Sequence, residues 1–156
     1  MEIKELLSPD AVVPRLKATS KKQLLQDLAA RAAKLTGLSE RRIFETLHER
    51  ERLGSTGMGQ GIAIPHGRLG NLARITGLFA WLDAPIDYDA MDDQPVDLVF
   101  LLLAPEGSGA DHLKALARVS RLLRNQPVCE KLRAASQPAA LYALLTDPIA
   151  SASQAA

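Results

Sequence analysis

Aromatic residues make up only 4% of this 156-residue chain, which denies it the stacking platform on which single-stranded nucleic acid is read. Excess charge of either sign is also missing. Nineteen Lys and Arg stand against 18 Asp and Glu, a net charge of +1, so no field gathers nucleic acid or an anionic membrane surface. The single cysteine, Cys129, has no partner for an intrachain disulfide and reads as a small packing residue in a helical stretch. No window is long and apolar enough to span a bilayer. The opening "MEIKELLSPD" carries acidic residues where a signal peptide has an unbroken apolar run. The expectation is a soluble, cytoplasmic protein with no nucleic-acid partner and no membrane insertion.

Several familiar chemistries are missing as well. Gly57, Gly59 and Gly61 miss the G-x-G-x-x-G spacing, and a strand follows them where that motif needs a helix. No Gly-Lys-Ser or Gly-Lys-Thr offers a Walker lysine, and no G-x-S-x-G elbow occurs. "HERER" at 48–52 opens like a zincin helix but has Arg52 in place of the second ligand, so His48 reads as a solvated helix residue. Three histidines spread over the chain (His48, His66 and His112) are a weak signal for zinc.

What is present is one domain's length of alternating strand and helix patterns, enough to bury a core. "AVVPRL" at 11–16 reads as a strand that Pro14 confines to a sheet edge. Ser20 and Gln23 in capping-box spacing open a helix that repeats Leu24, Leu28 and Leu35 and stops near Gly37. A second helix starts at Ser39, carries Ile43, Phe44 and Leu47 on one face, and ends with Leu53 before Gly54. "GSTGMGQG", 54–61, is too rich in glycine for a regular element and reads as a loop. "IAIPH", "RITGLFAWL" and "VDLVFLLLAP" read as strands, the last apolar enough to be buried on both faces. A helix over 109–125, with Leu113, Leu116, Val119 and Leu123 inward, and another behind Pro138 supply cover. The prediction is an α/β sandwich: a single domain over 1–147 with a central mixed sheet and helices on both faces. Residues 148–156 read as a frayed tail.

"GIAIPHGRL" runs alternating apolar residues into a proline and then a histidine backed by glycine. A strand stopping there sets the imidazole at the sheet edge. A neutral imidazole with one nitrogen fixed by a hydrogen bond can attack phosphorus through the other, given donors or a cation for the phosphoryl oxygens. Arg50 at the end of the preceding helix offers a planar guanidinium. His112, in the first turn of a later helix, adds a ring nitrogen near a helix N-terminus. Gly67 leaves the approach to His66 open. Each residue also has a plain structural reading: His66 as a satisfied turn residue, Arg50 as a helix-end charge, and His112 as a polar position on an amphipathic helix. Arg68 and Asp111, flanking the histidines, read as facing water.

"RERLGSTGMGQGIAIPHGRL", 50–69, together with "DHLKALARVSRLLRN", 111–125, closely resembles the IIA domain of the fructose and mannitol class of the phosphoenolpyruvate:sugar phosphotransferase system, and within it the nitrogen-regulatory branch. The likeness runs from "LLSPDAVVPRLKATSKKQLLQDLA" to the final helix. It implies that His66 accepts a phosphoryl group on Nε2 from an HPr-like phosphocarrier. It implies that Arg50 steadies that group and that His112 is the second, unphosphorylated histidine of the site. The implied chemistry requires no metal and no cofactor. Met58 and Ile62 lie near the loop as rim residues for the carrier, Ile62 equally as core.

Two roles follow from the resemblance. One is a regulatory protein whose phosphorylation state is distinguished by targets such as a potassium transporter or a sensor kinase. The other is a free-standing fructose/mannitol-type IIA that passes the group to a IIB domain for sugar uptake. No linker or permease-like segment follows the domain, which together with "GSTG" favours regulation as the expectation.

Overall fold

Nearly every side chain of Val96–Pro105 is apolar, and the chain is built around this stretch. The computed structural model describes residues 1–147; the expected tail lies outside the described residues. In chain order the elements are α1 (Ile3–Leu6), a 3₁₀ turn (Pro9–Ala11), β1 (Val12–Leu16), α2 (Lys21–Thr36), α3 (Glu40–Arg52), β2 (Gly57–Gly59), β3 (Ile62–Ala63), β4 (His66–Leu69), β5 (Thr76–Ile86), β6 (Val96–Pro105), α4 (Gly109–Arg124), α5 (Gln126–Ala134) and α6 (Pro138–Thr146).

The helix boundaries have local causes. Ser20 Oγ accepts from the Gln23 backbone N–H at 3.1 Å, while the Gln23 side chain reaches past the cap to the Thr19 N–H at 2.6 Å, so the capping box is shifted by one residue. Gly37, at φ 75°, ends α2 in the left-handed conformation. Ser39 caps α3, and Pro138 opens α6.

The sheet has six strands in the order β1-β5-β6-β3-β2, with β4 also paired to β6. β5 runs antiparallel to β6. β1 is parallel to β5, and β3 and β4 are parallel to β6, so the sheet is mixed as predicted. β1, with its Pro14, lies at the edge. Alternate residues of β6 feed two cores: Leu98, Phe100 and Leu102 join α1, α4, α5 and α6 on one face, while Val99, Leu101 and Leu103 join α2 and α3 on the other.

Three local expectations are corrected. The glycine loop holds a short strand, β2, because Gly57 and Gly59 pair antiparallel with Ala63 and Ile62. The strand β3 does stop ahead of Pro65, at Ala63, but the histidine does not end the pairing: the Pro65 carbonyl accepts from the Leu102 N–H at 3.0 Å, and His66 starts a second strand, β4, against the same neighbour. Leu113 is 64% exposed; the inward face of α4 is formed by His112, Ala115, Val119, Leu122 and Leu123. Three of those inward residues, counted on from His112, follow i, i+3 and i+7 spacing, so the buried stripe begins one residue earlier than the leucine pattern suggests.

Candidate functional site

The break at Pro65 builds the site. Ile64 is held by its N–H to the Thr56 carbonyl at 3.1 Å, and its own carbonyl lies 2.8 Å from Nδ1 of His66. A carbonyl only accepts, so Nδ1 carries the proton and Nε2 of a neutral ring keeps its lone pair. Burial is the main influence lowering the His66 pKa, assisted by the charge of Arg50; the Ile64 hydrogen bond and Glu51 act in the opposite direction. The ring is half-buried and lines a cleft of about 340 Å³.

Arg50, in the last turn of α3, lines the same cleft. Its Nη1 donates to the Gly54 carbonyl at 2.9 Å, which sets the guanidinium against the start of the glycine segment. Ser55, Thr56 and Met58 contribute from that segment, Met91 from the β5–β6 connection, and Leu116, Ser120 and Arg124 from α4. Met58 is half-buried, Met91 is 86% exposed, and Ile62 is core.

His112 does not line the cleft. It is buried, and its ring meets that of His66 edge to face with centroids 5.7 Å apart and planes inclined by 68°. Burial lowers its pKa, followed by the charges of His66 and Arg68. Arg68 does not simply face water: its Nε donates to Nδ1 of His112 at 3.1 Å. Asp111 is exposed as expected. His48 is exposed and stacks on Phe44, and among the described residues no group of three or more His, Cys, Asp or Glu side chains gathers to hold a metal.

Sequence reasoning missed a buried polar cluster beneath the cleft. The Glu51 carboxylate accepts from the Thr56 N–H at 3.0 Å, from the Thr56 hydroxyl and from Tyr88 at 3.2 Å, and it pairs with Lys21 at 2.9 Å. Lys21 also sits 4.5 Å from the centre of the Tyr88 ring. Glu51 adjoins Arg50 in sequence, and this was the available signal. Tyr88, 37 residues away, gave none.

A cleft that combines a nucleophilic imidazole nitrogen, a guanidinium and hydroxyl groups suits a small anionic group transferred to or from nitrogen. Residues 5–147 match the family model "Phosphoenolpyruvate-dependent sugar phosphotransferase system, EIIA 2". A protein of Bradyrhizobium diazoefficiens called "Nitrogen regulatory protein" is 60% identical over 152 residues, covering 97% of this chain and 99% of the relative. The crystal structure of nitrogen regulatory protein IIA-Ntr from Neisseria meningitidis superposes with a TM-score of 0.88 at 37% identity, covering 92% of this chain and 99% of that one. The IIA mannitol structure from Escherichia coli, 20% identical with a TM-score of 0.76, covers 88% of this chain and 97% of its own; it shares the fold.

Proposed function

Because the chain belongs to the EIIA 2 family of the phosphoenolpyruvate-dependent sugar phosphotransferase system, we propose that it is a phosphocarrier of the nitrogen-regulatory branch, accepting a phosphoryl group on His66 and signalling through its phosphorylation state. The family acts as a phosphotransfer component and so works with a phosphocarrier partner. That partner is an HPr-like protein of the nitrogen branch, and the readers of the phosphorylated state are regulated targets such as a potassium transporter or a sensor kinase. Among the described residues no helix is long and apolar enough to cross a membrane, in keeping with a cytoplasmic setting. Residues 1–147 form the working domain.

One observation carries this reading: the Ile64 carbonyl holds the proton of His66 on Nδ1 and leaves Nε2 as the nucleophile. In the transfer, the Nε2 lone pair attacks the phosphorus of the carrier's phosphohistidine and a new P–N bond forms. The carrier's P–N bond breaks, and its electron pair returns to the carrier's ring nitrogen. No proton need leave His66, because Nε2 begins without one. One P–N bond replaces a similar one, so the step is close to balanced and reversible. Positioning and charge stabilisation then supply the catalysis. Arg50 offers its fork to the phosphoryl oxygens, and His112 offers its ring N–H from beside His66. Roughly two added negative charges at the cleft alter both charge and docking surface where a partner would bind.

Intact-mass spectrometry at alkaline pH, after incubation with enzyme I, a nitrogen-type HPr and phosphoenolpyruvate, tests the proposal. A gain of one acid-labile phosphoryl group in wild type that is absent from His66→Ala is expected. No gain in wild type, with the carrier itself phosphorylated, would overturn it. Onward transfer to a IIB domain would assign sugar uptake in place of regulation.

A further inference from the structure

Arg68 follows His66 by two positions on β4, and the two pair with Leu102 and Ala104 of β6, so both belong to the sheet face that α4 covers. Nε of Arg68 lies 3.1 Å from Nδ1 of His112, 44 residues away. An arginine has donors only and stays charged. This bond therefore requires that Nδ1 of His112 present its lone pair, and in a neutral ring the proton is then on Nε2. That nitrogen is buried and has no hydrogen-bond partner among the described residues. A buried N–H left unpaired costs stability, and this one is on the ring that meets His66 edge to face.

Ion pairing does not account for Arg68. The side chain is exposed and makes no ion pair among the described residues. A Cβ built on Gly109, the first residue of α4, would lie 3.9 Å from its Nη2. That puts a cation beside the positive end of the helix dipole, where it is repelled. The same position does favour an anion brought close by.

We infer that Arg68 is a positioning residue that fixes His112 as the Nε2–H tautomer, so that the ring can donate to an oxygen of a phosphoryl group carried by His66. The inference rests on the phosphocarrier reading for its purpose, but the tautomer is a property of the unphosphorylated protein and is measured without it. The two histidines are then held in opposite tautomers: His66 by a carbonyl acceptor at Nδ1, His112 by a guanidinium donor at Nδ1.

Glutamine and methionine separate donor from bulk. The side-chain nitrogen of glutamine occupies the same place along the chain as Nε of arginine, and methionine fills similar space with no donor. Long-range proton–nitrogen NMR correlations of the full chain, recorded at mildly alkaline pH, report which nitrogen of each ring bears hydrogen. Wild type and Arg68→Gln should show Nε2–H for His112, and Arg68→Met a mixture of tautomers, with His66 remaining Nδ1–H in all three. Phosphoryl acceptance from a phosphorylated HPr-type carrier should be about fivefold slower in Arg68→Met than in Arg68→Gln, the scale of one hydrogen bond. An unchanged His112 pattern in Arg68→Met, or equal rates in the two variants, overturns the inference. Should wild type accept no phosphoryl group, the functional reading fails, and the ring shifts still decide whether Arg68 sets the tautomer.

Discussion

The phenol of Tyr88 donates to the carboxylate of Glu51 across 3.2 Å, joining the connection after β5 to the last turn of α3. Glu51 is the hub of a buried cluster, with its side chain 5% exposed and Lys21 at 19%. Its carboxylate also holds the N–H and hydroxyl of Thr56, and Thr56 in turn supplies the carbonyl that anchors Ile64. The chain of contacts thus runs from Tyr88 through Glu51 and Thr56 to the residue that orients His66.

Removing the hub should cost both stability and alignment. Glu51→Gln leaves Lys21 without its counter-charge in a poorly hydrated place and weakens the hydrogen bonds it accepts. A loss of about 2–4 kcal/mol is expected, together with slower phosphoryl acceptance. Tyr88→Phe, which removes one hydroxyl, should cost about 1–2 kcal/mol. Urea denaturation measures both. A change below about 0.5 kcal/mol for Glu51→Gln would mean that the cluster does not organise the loop.

The site's pH response follows from its two depressed histidines. Burial, then the charges of His66 and Arg68, lowers His112; burial and Arg50 lower His66 against the pull of Ile64 and Glu51. Below the ordinary imidazole value of about 6.5 the unfolded chain binds protons that the folded one still refuses. Stability from these two groups therefore rises with pH from their folded midpoints up to about 6.5, and is constant above it. Phosphoryl acceptance, which needs an unprotonated Nε2, should persist to a pH below the ordinary imidazole midpoint. NMR titration of the two ring Cε1–H signals checks this, and midpoints at or above about 6.5 would contradict it.

Arg50 is expected to act through its shape as well as its charge. Arg50→Lys keeps a cation but loses the planar fork, and it cannot hold the Gly54 carbonyl and a phosphoryl oxygen in one rigid geometry. Rapid-quench measurement should show acceptance slowed by about ten- to a hundredfold, with the change in folding stability below about 1 kcal/mol. Equal rates for the two proteins would remove Arg50 from the site.

Periodicity and punctuation made much of the fold legible. Ser20, Gly37 and Ser39 mark helix ends by chemistry that acts within a few residues, and Val96–Pro105 declares a central strand by being apolar at almost every position. Long-range polar contacts left no such mark. Tyr88 reads as an ordinary aromatic until the fold brings it to Glu51, and Arg68 reads as solvated until α4 brings His112 to it. The period of two along β4 did carry a clue, because any residue two after His66 shares its face. β2 was hidden by glycines, whose pairing with β3 comes from tertiary context.

Gly67 shows where a correct emphasis had the wrong physical reason. It is buried, and it faces away from the cleft: a Cβ built on it would stand 2.6 Å from Thr46 Cγ2 on α3. Its missing side chain lets β4 lie close to α3, so the strand bearing His66 and the helix bearing Arg50 keep their spacing. Thr46 has two favoured χ1 rotamers within a helix, so the added methyl of Gly67→Ala must displace the Thr46 side chain or push β4 away from α3. Overpacking of this kind should cost about 1–3 kcal/mol and slow phosphoryl acceptance. Thr46→Ser removes the opposing methyl, so the double variant should recover most of both losses, a coupling read directly from a double-mutant cycle. Additive losses would show that Gly67 is required for a reason other than its contact with α3.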